Sequence, residues 1–426
     1  MTKTLNSIYK VFVISALILL AFGVSLQTPA ELVRGLMAIF TAPAVLVTDF
    51  VYIGGLGPAI VNGVILAMAS VGILVLLKTE QGSGTIANLW LLVGFGLFGK
   101  TIINVLPIYL GGYLYARFRK ESYSNSILTI LVASSMAPAV SQKLFIGIGN
   151  TALSILAAFA MGVAIGFVFE PLAKNVFKAH DGFNLYNGGL TAGILAIFIT
   201  STLSTFGIEP GLNDIWSEGN NVMISIITIV LCVFFIFIGW YCNRDLGIMG
   251  ILKKLKGISG TKSNYYPEFG TLCYINMGLL GLFCILAAVI FDMQLSGLAW
   301  GGIITIIGFG ANGKNVPSAI ALMIGIGIAT FFSPFHIRDP GVVVAFYFVT
   351  ALSPIPNMFG LHWGVIAGII HLHVVTSLAG PSGGINLYNN GLAAGLIAML
   401  LVPFILALKN RKKLLKKMRD TQQKNE

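Results

Sequence analysis

"FNLYNGGLTAG" runs from Phe183 to Gly193, and "INLYNNGLAAG" runs from Ile385 to Gly395. The fold depends on whether this likeness is chance or duplication. Shifting Gly162–Ala196 by 202 positions onto Gly364–Ala398 makes 13 of 35 positions identical. Apolar residues often match by accident; Asn-Leu-Tyr-Asn followed by Gly-Leu does not. A second pair, "GFGLFGK" (Gly94–Lys100) and "GFGANGK" (Gly308–Lys314), matches at a shift of 214 and in the same order. The longer basic loop around Arg117–Ser124 in the first copy accounts for the difference in shift. Both matches together are read as an internal duplication, the feature to seek first in any sequence.

The composition says what kind of chain is duplicated. Of its 426 residues, 56% are hydrophobic and 10% charged, against about 25% charged in soluble proteins. Runs such as Val11–Gln27, Val222–Cys242 and Leu387–Leu408 reach the roughly 20 apolar residues that cross a bilayer core. The expected fold class is therefore all-α, a polytopic integral membrane protein. The first run follows Lys3 and Lys10 and resembles a signal peptide, but no clean small-residue cleavage site follows it, so a retained helix is expected.

A net charge of +11 invites a nucleic-acid reading, which the distribution argues against. The tail Lys409–Lys424 holds eight of the 26 basic residues and Arg244–Lys262 five more. Both abut apolar runs, as cytoplasmic anchoring by positive charge requires. Cys232, Cys242, Cys273 and Cys284 lie in or beside apolar runs without metal spacing; they are read as buried free thiols. Neither metal nor cofactor is expected.

Fourteen crossings are expected, centred near residues 19, 66, 92, 110, 136, 162, 195, 232, 280, 304, 323, 350, 370 and 397. With the amino terminus inside, inner segments carry 22 basic residues, including Lys314. Outer ones carry four: Arg34, Lys100, Lys143 and Arg338. This requires Glu31–Phe50 not to cross. The repeats are then 1–205 and 222–408, joined by an outer linker 206–221. A basic loop 243–267 lies within the second, and a basic tail 409–426 follows it. Seven crossings per copy is an odd number, so the copies are inverted in the membrane. Their charges agree: Lys174 and Lys178 correspond to Thr376 and Gly380. The pairs around Lys100 and Lys314 are short and glycine-rich. Re-entrant hairpins there would leave ten crossings and keep the inversion.

Inverted repeats built on discontinuous helices are the architecture of many secondary transporters. Asn184, Tyr186, Asn187 and their copies Asn386, Tyr388, Asn389 are candidates for solute binding at helix N-termini, which favour anions. The plainer reading is a duplicated helix cap. "SSMAPAV" (Ser134–Val140) and "LSPIPNM" (Leu352–Met358) stand at matching places, and their prolines break a helix in each copy. Glu170, in an apolar run, is a candidate for ion coupling; its plainer role is an interfacial pair with Lys174 one turn on. His180, Asp181, His371, His373, Lys100 and Lys314 are further coupling or gating candidates. "GFGxxGK" lacks the spacing and the preceding strand of a phosphate loop, so nucleotide binding is not expected.

At "HDGFNLYNGG" and its glycine-rich flanks, the chain resembles an uncharacterised bacterial family of polytopic membrane proteins, domain of unknown function 1576, over nearly its whole length. The resemblance implies no substrate and no site. In architecture alone, seven-plus-seven inverted repeats look like the uracil and anion exchanger superfamily. The expectation is a non-enzymatic secondary transporter or permease for a small polar or anionic solute, ion-driven or facilitative. It would lie in a bacterial inner membrane with both termini cytoplasmic, lipid and solute as its partners, and a homodimer left open. The alternatives are a channel of the urea-channel type and an intramembrane enzyme using Glu170, His371 and His373.

Overall fold

The computed structural model describes residues 7–141, 151–208, 211–378 and 380–425; side chains beyond Arg411 are outside that description. Lys3 and Lys143, counted above as inner and outer charges, also lie outside it. Among the described residues the chain is helical, and its single β contact is a parallel bridge between Thr48 and Ile215. In hydrocarbon, water cannot serve backbone polar groups, so long apolar segments close their hydrogen bonds internally as helices.

The order of elements runs twice. Helices α1 (Ile8–Ser25), α2 (Pro29–Thr41), α3 (Phe50–Gly54) and α4 (Leu56–Leu76) open the first half. A hairpin of α5 (Ser83–Phe95) and α6 (Ile102–Arg119) follows. Next come a broken helix, α7 (Ile127–Ala133) with α8 (Pro138–Ser141), and then α9 (Thr151–His180) and α10 (Asn187–Thr205). The second half repeats this with α11 (Asn221–Cys242), α12 (Gly247–Ile258), α13 (Tyr265–Phe269) and α14 (Leu272–Ile290). Its hairpin is α15 (Gly297–Phe309) and α16 (Val316–Thr330), and its broken helix is α17 (Pro340–Phe348) with α18 (Pro354–Phe359). It closes with α19 (Leu361–Leu378) and α20 (Asn389–Asn425).

Eight of the fourteen expected crossings fall on helices long and apolar enough to span a membrane: α1, α4, α9, α10, α11, α14, α19 and α20. This is a membrane-embedded, polytopic helical protein. Five of the other six fall on short or interrupted helices, and the sixth on α6, which has 18 residues but carries Pro107 and ends on Arg117 and Arg119. Two are the broken ones, where a 3-10 turn at Ser134–Met136 or Val349–Leu352 precedes a proline. The remaining four are the hairpin arms. At 1.5 Å per residue the 13 residues of α5 or α15 cover only about 20 Å. The stretch from Glu31 to Phe50 forms amphipathic α2 and a loop. Thr28 and Glu31 cap α2 reciprocally, a capping box with Pro29 at the first helical position.

Matching contacts recur in the two halves. A Cβ on Gly111 would lie 2.1 Å from the Val163 carbonyl oxygen, and one on Gly166 2.0 Å from that of Ile108. The counterparts are 2.3 Å for Gly325 on Val365 and 2.1 Å for Gly368 on Leu322. Small residues thus let the α6/α9 and α16/α19 backbones touch, as packing in lipid favours.

The segment between the halves is fixed rather than loose. Val47 donates to the Asn213 carbonyl at 2.7 Å, and Ile215 to that of Val47 at 3.2 Å. Asp49 is buried, and its carboxylate accepts from Val51 N (2.9 Å), Ser217 N (3.0 Å), Ser217 Oγ (2.7 Å) and Gly297 N (2.8 Å). A buried charge with this many donors is stabilised. One carboxylate thereby ties the loop after α2 and the linker to the start of α15.

Candidate functional site

Each hairpin turns inside the protein. The tip "GFGLFGK" closes through Asn62 of α4, whose Nδ2 donates to the carbonyl oxygens of Gly96 (2.7 Å) and Lys100 (2.8 Å). Asn276 of α14 does the same for Gly310 and Lys314, both at 2.7 Å. The returning helix starts on a capping box in both: Thr101 with Asn104, and Asn315 with Ser318. Gly99 and Gly313 take φ of +85° and +123° at the tips, a region that only glycine enters without strain.

Lys100 and Lys314 are each 0% exposed. Sequence reasoning placed them at opposite membrane faces; the structure corrects this, because the short first arms bring both tips into the interior. Lys314 Nζ donates to the Tyr186 hydroxyl and lies 4.3 Å from that ring's centre and 5.1 Å from that of Phe309. Lys100 Nζ lies 4.9 Å from the Phe95 ring centre and has no hydrogen-bond acceptor among the described residues.

The two Asn-Leu-Tyr-Asn segments meet between the tips. A Cβ on Gly189 would fall 2.7 Å from the Gly391 Cα, and one on Gly391 2.8 Å from the Gly189 Cα. Only glycine permits this crossing of α10 and α20 at their first turns. Each segment is pinned to the opposite half, Leu185 N donating to the Ala351 carbonyl (2.9 Å) and Leu387 N to that of Ser135 (3.0 Å). The broken helices supply these acceptors, since their 3-10 turns free carbonyls that a continuous helix would use.

Within this crossing the asparagines divide their roles. Asn184 and Asn386 accept from the amides of Tyr186 and Tyr388, both at 2.9 Å. Asn184 Nδ2 also reaches the Gly391 carbonyl at 3.0 Å, and Asn386 Nδ2 the Asn389 Oδ1 at 3.1 Å. Both are buried and spent on the loops themselves. The tyrosines form the centre: their rings lie 4.6 Å apart, Tyr186 packs on Phe309 at 5.0 Å, Tyr388 on Phe95 at 4.7 Å, and both on Phe348 at 6.0 Å.

Two cavities border this aromatic layer. One, of about 210 Å³, is lined by Leu128, Val132, Leu185, Asn187 and both tyrosines. The other, of about 170 Å³, is lined by Val344, Phe348, Leu387, Asn389, Asn390 and Trp216. Leu185 and Asn187 in the first stand where Leu387 and Asn389 stand in the second, 202 positions on.

The remaining candidates lie around this centre. His180 Nε2 is 2.8 Å from Asn187 Oδ1, and His371 Nε2 is 3.0 Å from Asn390 Oδ1. Each buried histidine thus steadies an asparagine at a cavity wall. His373 is exposed, so His371 and His373 do not share a face. Asp181 is at the surface, paired with Lys262 at 3.2 Å, and that ammonium also caps the Phe183 ring at 3.9 Å. Buried Glu170 pairs through Oε1 with exposed Lys174 at 2.8 Å, while its Oε2 has no hydrogen-bond partner among the described residues.

Sequence reasoning missed Asn62 and Asn276. Their signal was available: each is an asparagine inside an apolar run, and the two are 214 apart, the shift of the hairpin tips. The aromatic partners Phe95 and Phe309 lie inside the quoted tips but went unremarked, since phenylalanine is ordinary in a membrane helix.

No curated protein and no solved structure matches the chain. The family described as protein of unknown function (DUF1576) matches residues 28–205 and 252–407. The first stretch opens just before α2 and the second within α12. Covering well over half of the chain, it shows that this protein belongs to the DUF1576 family.

Proposed function

We propose that the protein is a secondary transporter or permease for a small polar or anionic solute, working by alternating access between two inverted repeats. In this reading each repeat contributes five crossings and one re-entrant hairpin. The protein spans a bacterial inner membrane with both termini in the cytoplasm, where the basic tail and the loop around Lys253 favour them. The observation that carries the reading is the convergence of both hairpin tips and both Asn-Leu-Tyr-Asn helix starts on one aromatic layer bordered by two cavities. Discontinuous segments meeting at the centre of two related halves are the arrangement in which carriers expose one site alternately. The closed layer favours a carrier over an open pore.

The test is transport by the purified full-length protein in liposomes. Labelled acetate, lactate, benzoate, glycerol and urea are offered with and without a pH gradient, and trans-loaded vesicles are assayed for counterflow. Saturable uptake with counterflow supports a carrier. Non-saturating flux with unitary currents would make the protein a channel, and no protein-dependent movement of any of these solutes would overturn the proposal.

A further inference from the structure

The two hairpin tips are alike in sequence and backbone, yet their lysines are not alike in partners. Lys314 has the Tyr186 hydroxyl, whereas Lys100 has no acceptor among the described residues, and the hydroxyl of the equivalent tyrosine, Tyr388, meets that of Tyr186 instead. Next to Tyr388, the Asn389 Nδ2 is also buried and unpartnered. Asn389 lines the cavity of about 170 Å³ together with Phe98 and Leu387, which flank the Lys100 tip. Phe95, under the Lys100 ammonium, packs on Tyr388 at 4.7 Å, and a Cβ on Gly99 would lie 2.4 Å from Leu387.

Charge sharpens the asymmetry. The buried acids among the described residues are Asp49 and Glu170. Asp49 is committed to Ser217, Gly297 and Val51, and Glu170 to Lys174. None of the ion pairs among the described residues includes Lys100. A buried ammonium without a counter-charge is costly. Lysine Nζ and amide Nδ2 can only donate. An acceptor with negative charge is the group that completes this site with the lysine still charged, since an uncompensated buried ammonium otherwise gives up its proton.

We propose that Lys100 and Asn389 bind the carboxylate of a small organic monoanion, the ammonium supplying its counter-charge and the amide a further hydrogen bond. One positive charge matches one negative charge. The surrounding Phe95, Phe98 and Phe348 rings match an apolar body rather than a second acidic group, and the neighbouring cavities of about 170 and 210 Å³ set its scale. This rests on the transport reading for its purpose but not for its chemistry.

The test is thermal stability of the full-length protein in detergent, titrated with acetate, lactate and benzoate at constant ionic strength, with chloride and neutral benzamide as controls. At least one carboxylate should raise the melting temperature saturably, while benzamide should not. Lys100→Gln should shift the titration midpoint at least tenfold, and Lys100→Arg should shift it less. Should Lys100→Gln fail to fold, Asn389→Asp keeps the acceptor for Asn386, replaces the unpartnered donor by a carboxylate oxygen, and should weaken binding about threefold or more. No stabilisation by any of the three carboxylates, equal stabilisation by benzamide, or an unchanged midpoint in Asn389→Asp and Lys100→Gln would overturn the proposal. The liposome assay separates the two readings. Lys100-dependent binding without uptake leaves this site standing and removes transport; saturable uptake of urea or glycerol without carboxylate binding does the reverse.

Discussion

Replacing Asn62 by leucine tests how the hairpins are held. The substitution keeps the side chain's approximate volume and removes both donors. The Gly96 and Lys100 carbonyl oxygens, 2.7 and 2.8 Å from Nδ2, are then left in a dry interior. A buried polar group stripped of its partner costs about 1–3 kcal/mol in soluble proteins, while side-chain hydrogen bonds between membrane helices average only about 0.6 kcal/mol. With two bonds lost, the expected destabilisation is about 2 kcal/mol, between the roughly 1 and 6 kcal/mol that these limits give. Asn276→Leu removes bonds of 2.7 Å each and should cost the same within about 0.5 kcal/mol, the usual scatter of independent sites. Asn62→Asp should cost more, because it sets a carboxylate oxygen against the two carbonyls.

The assay is the apparent melting temperature at one fixed scan rate, since membrane-protein unfolding is often irreversible and then rate-dependent. Both leucine variants should melt a few degrees lower, and should lose Lys100-dependent carboxylate stabilisation (Asn62→Leu) or disturb Lys314 and Tyr186 (Asn276→Leu). A wild-type melting temperature in Asn62→Asp would refute the view that Asn62 acts as a donor to the tip. A large effect at one asparagine and none at the other would refute the equivalence of the hairpins.

Gly189→Ala and Gly391→Ala should each destabilise by about 1–3 kcal/mol through overpacking at the central crossing, whereas Gly327→Ala in α16, with open space around its Cβ, should be neutral or stabilise by up to about 1 kcal/mol; paired melting curves check both. Cysteines placed at Lys253 and Arg338 should label from opposite sides of the membrane, and labelling from one side would remove the inversion of the halves. Glu170→Gln should change melting little and leave the carboxylate midpoint unchanged, because its partner is Lys174 at the protein surface; a moved midpoint would bring Glu170 into the site. Hydrogen bonds from the Thr28 amide and hydroxyl hold the Glu31 carboxylate below its usual range, so its contribution to the start of α2 should be present above the unperturbed value and lost as pH falls through the lowered one. Amide protection factors over Glu31–Gly35, corrected for the intrinsic pH dependence of exchange, should fall across that window in the wild type and stay flat in Glu31→Gln.

What was legible in the sequence was whatever left a periodic or repeated trace. The apolar runs marked the eight long helices, and the shift of 202 marked the two segments that cross. The short first arm of each hairpin marked a turn at partial depth. The partners were not legible. Nothing in "GFGLFGK" says whether its lysine ends at a membrane face or in the interior; that depends on α5 being 13 residues long and on Asn62, 38 residues earlier, accepting the tip. Positive charge in a short loop was therefore counted as a surface signal when it belonged to the core. Asn184 and Asn386 were legible as important, but the partners that engage them, Gly391 and Asn389 beside the amides of their own tyrosines, were not. A side chain that closes its own loop and one that faces a solute leave the same letter in the sequence.

The asymmetry between the two lysines bears on how such a protein would work. In the proposed reading of two inverted copies of one fold, the copies need not adopt the same conformation at one time. Exchanging their conformations gives a second state of similar energy, which is the basis of alternating access in repeat-built carriers. Here Lys314 is engaged by Tyr186 while Lys100 has no acceptor among the described residues, and of the two cavities beside the aromatic layer the one lined by both tyrosines is the larger. The exchanged state pairs Lys100 with Tyr388 and frees Lys314 beside Tyr186. A bound carboxylate would then meet a competing hydroxyl on one side as an ammonium is released on the other, which couples solute transfer to the swap without any titrating acid in the path. On this argument Tyr186→Phe frees Lys314 in the present state and should create a second carboxylate site, read as two binding events per chain in a calorimetric benzoate titration; a single event, unchanged from wild type, would mean that the Lys314–Tyr186 bond is a fixed strut and not half of an exchange.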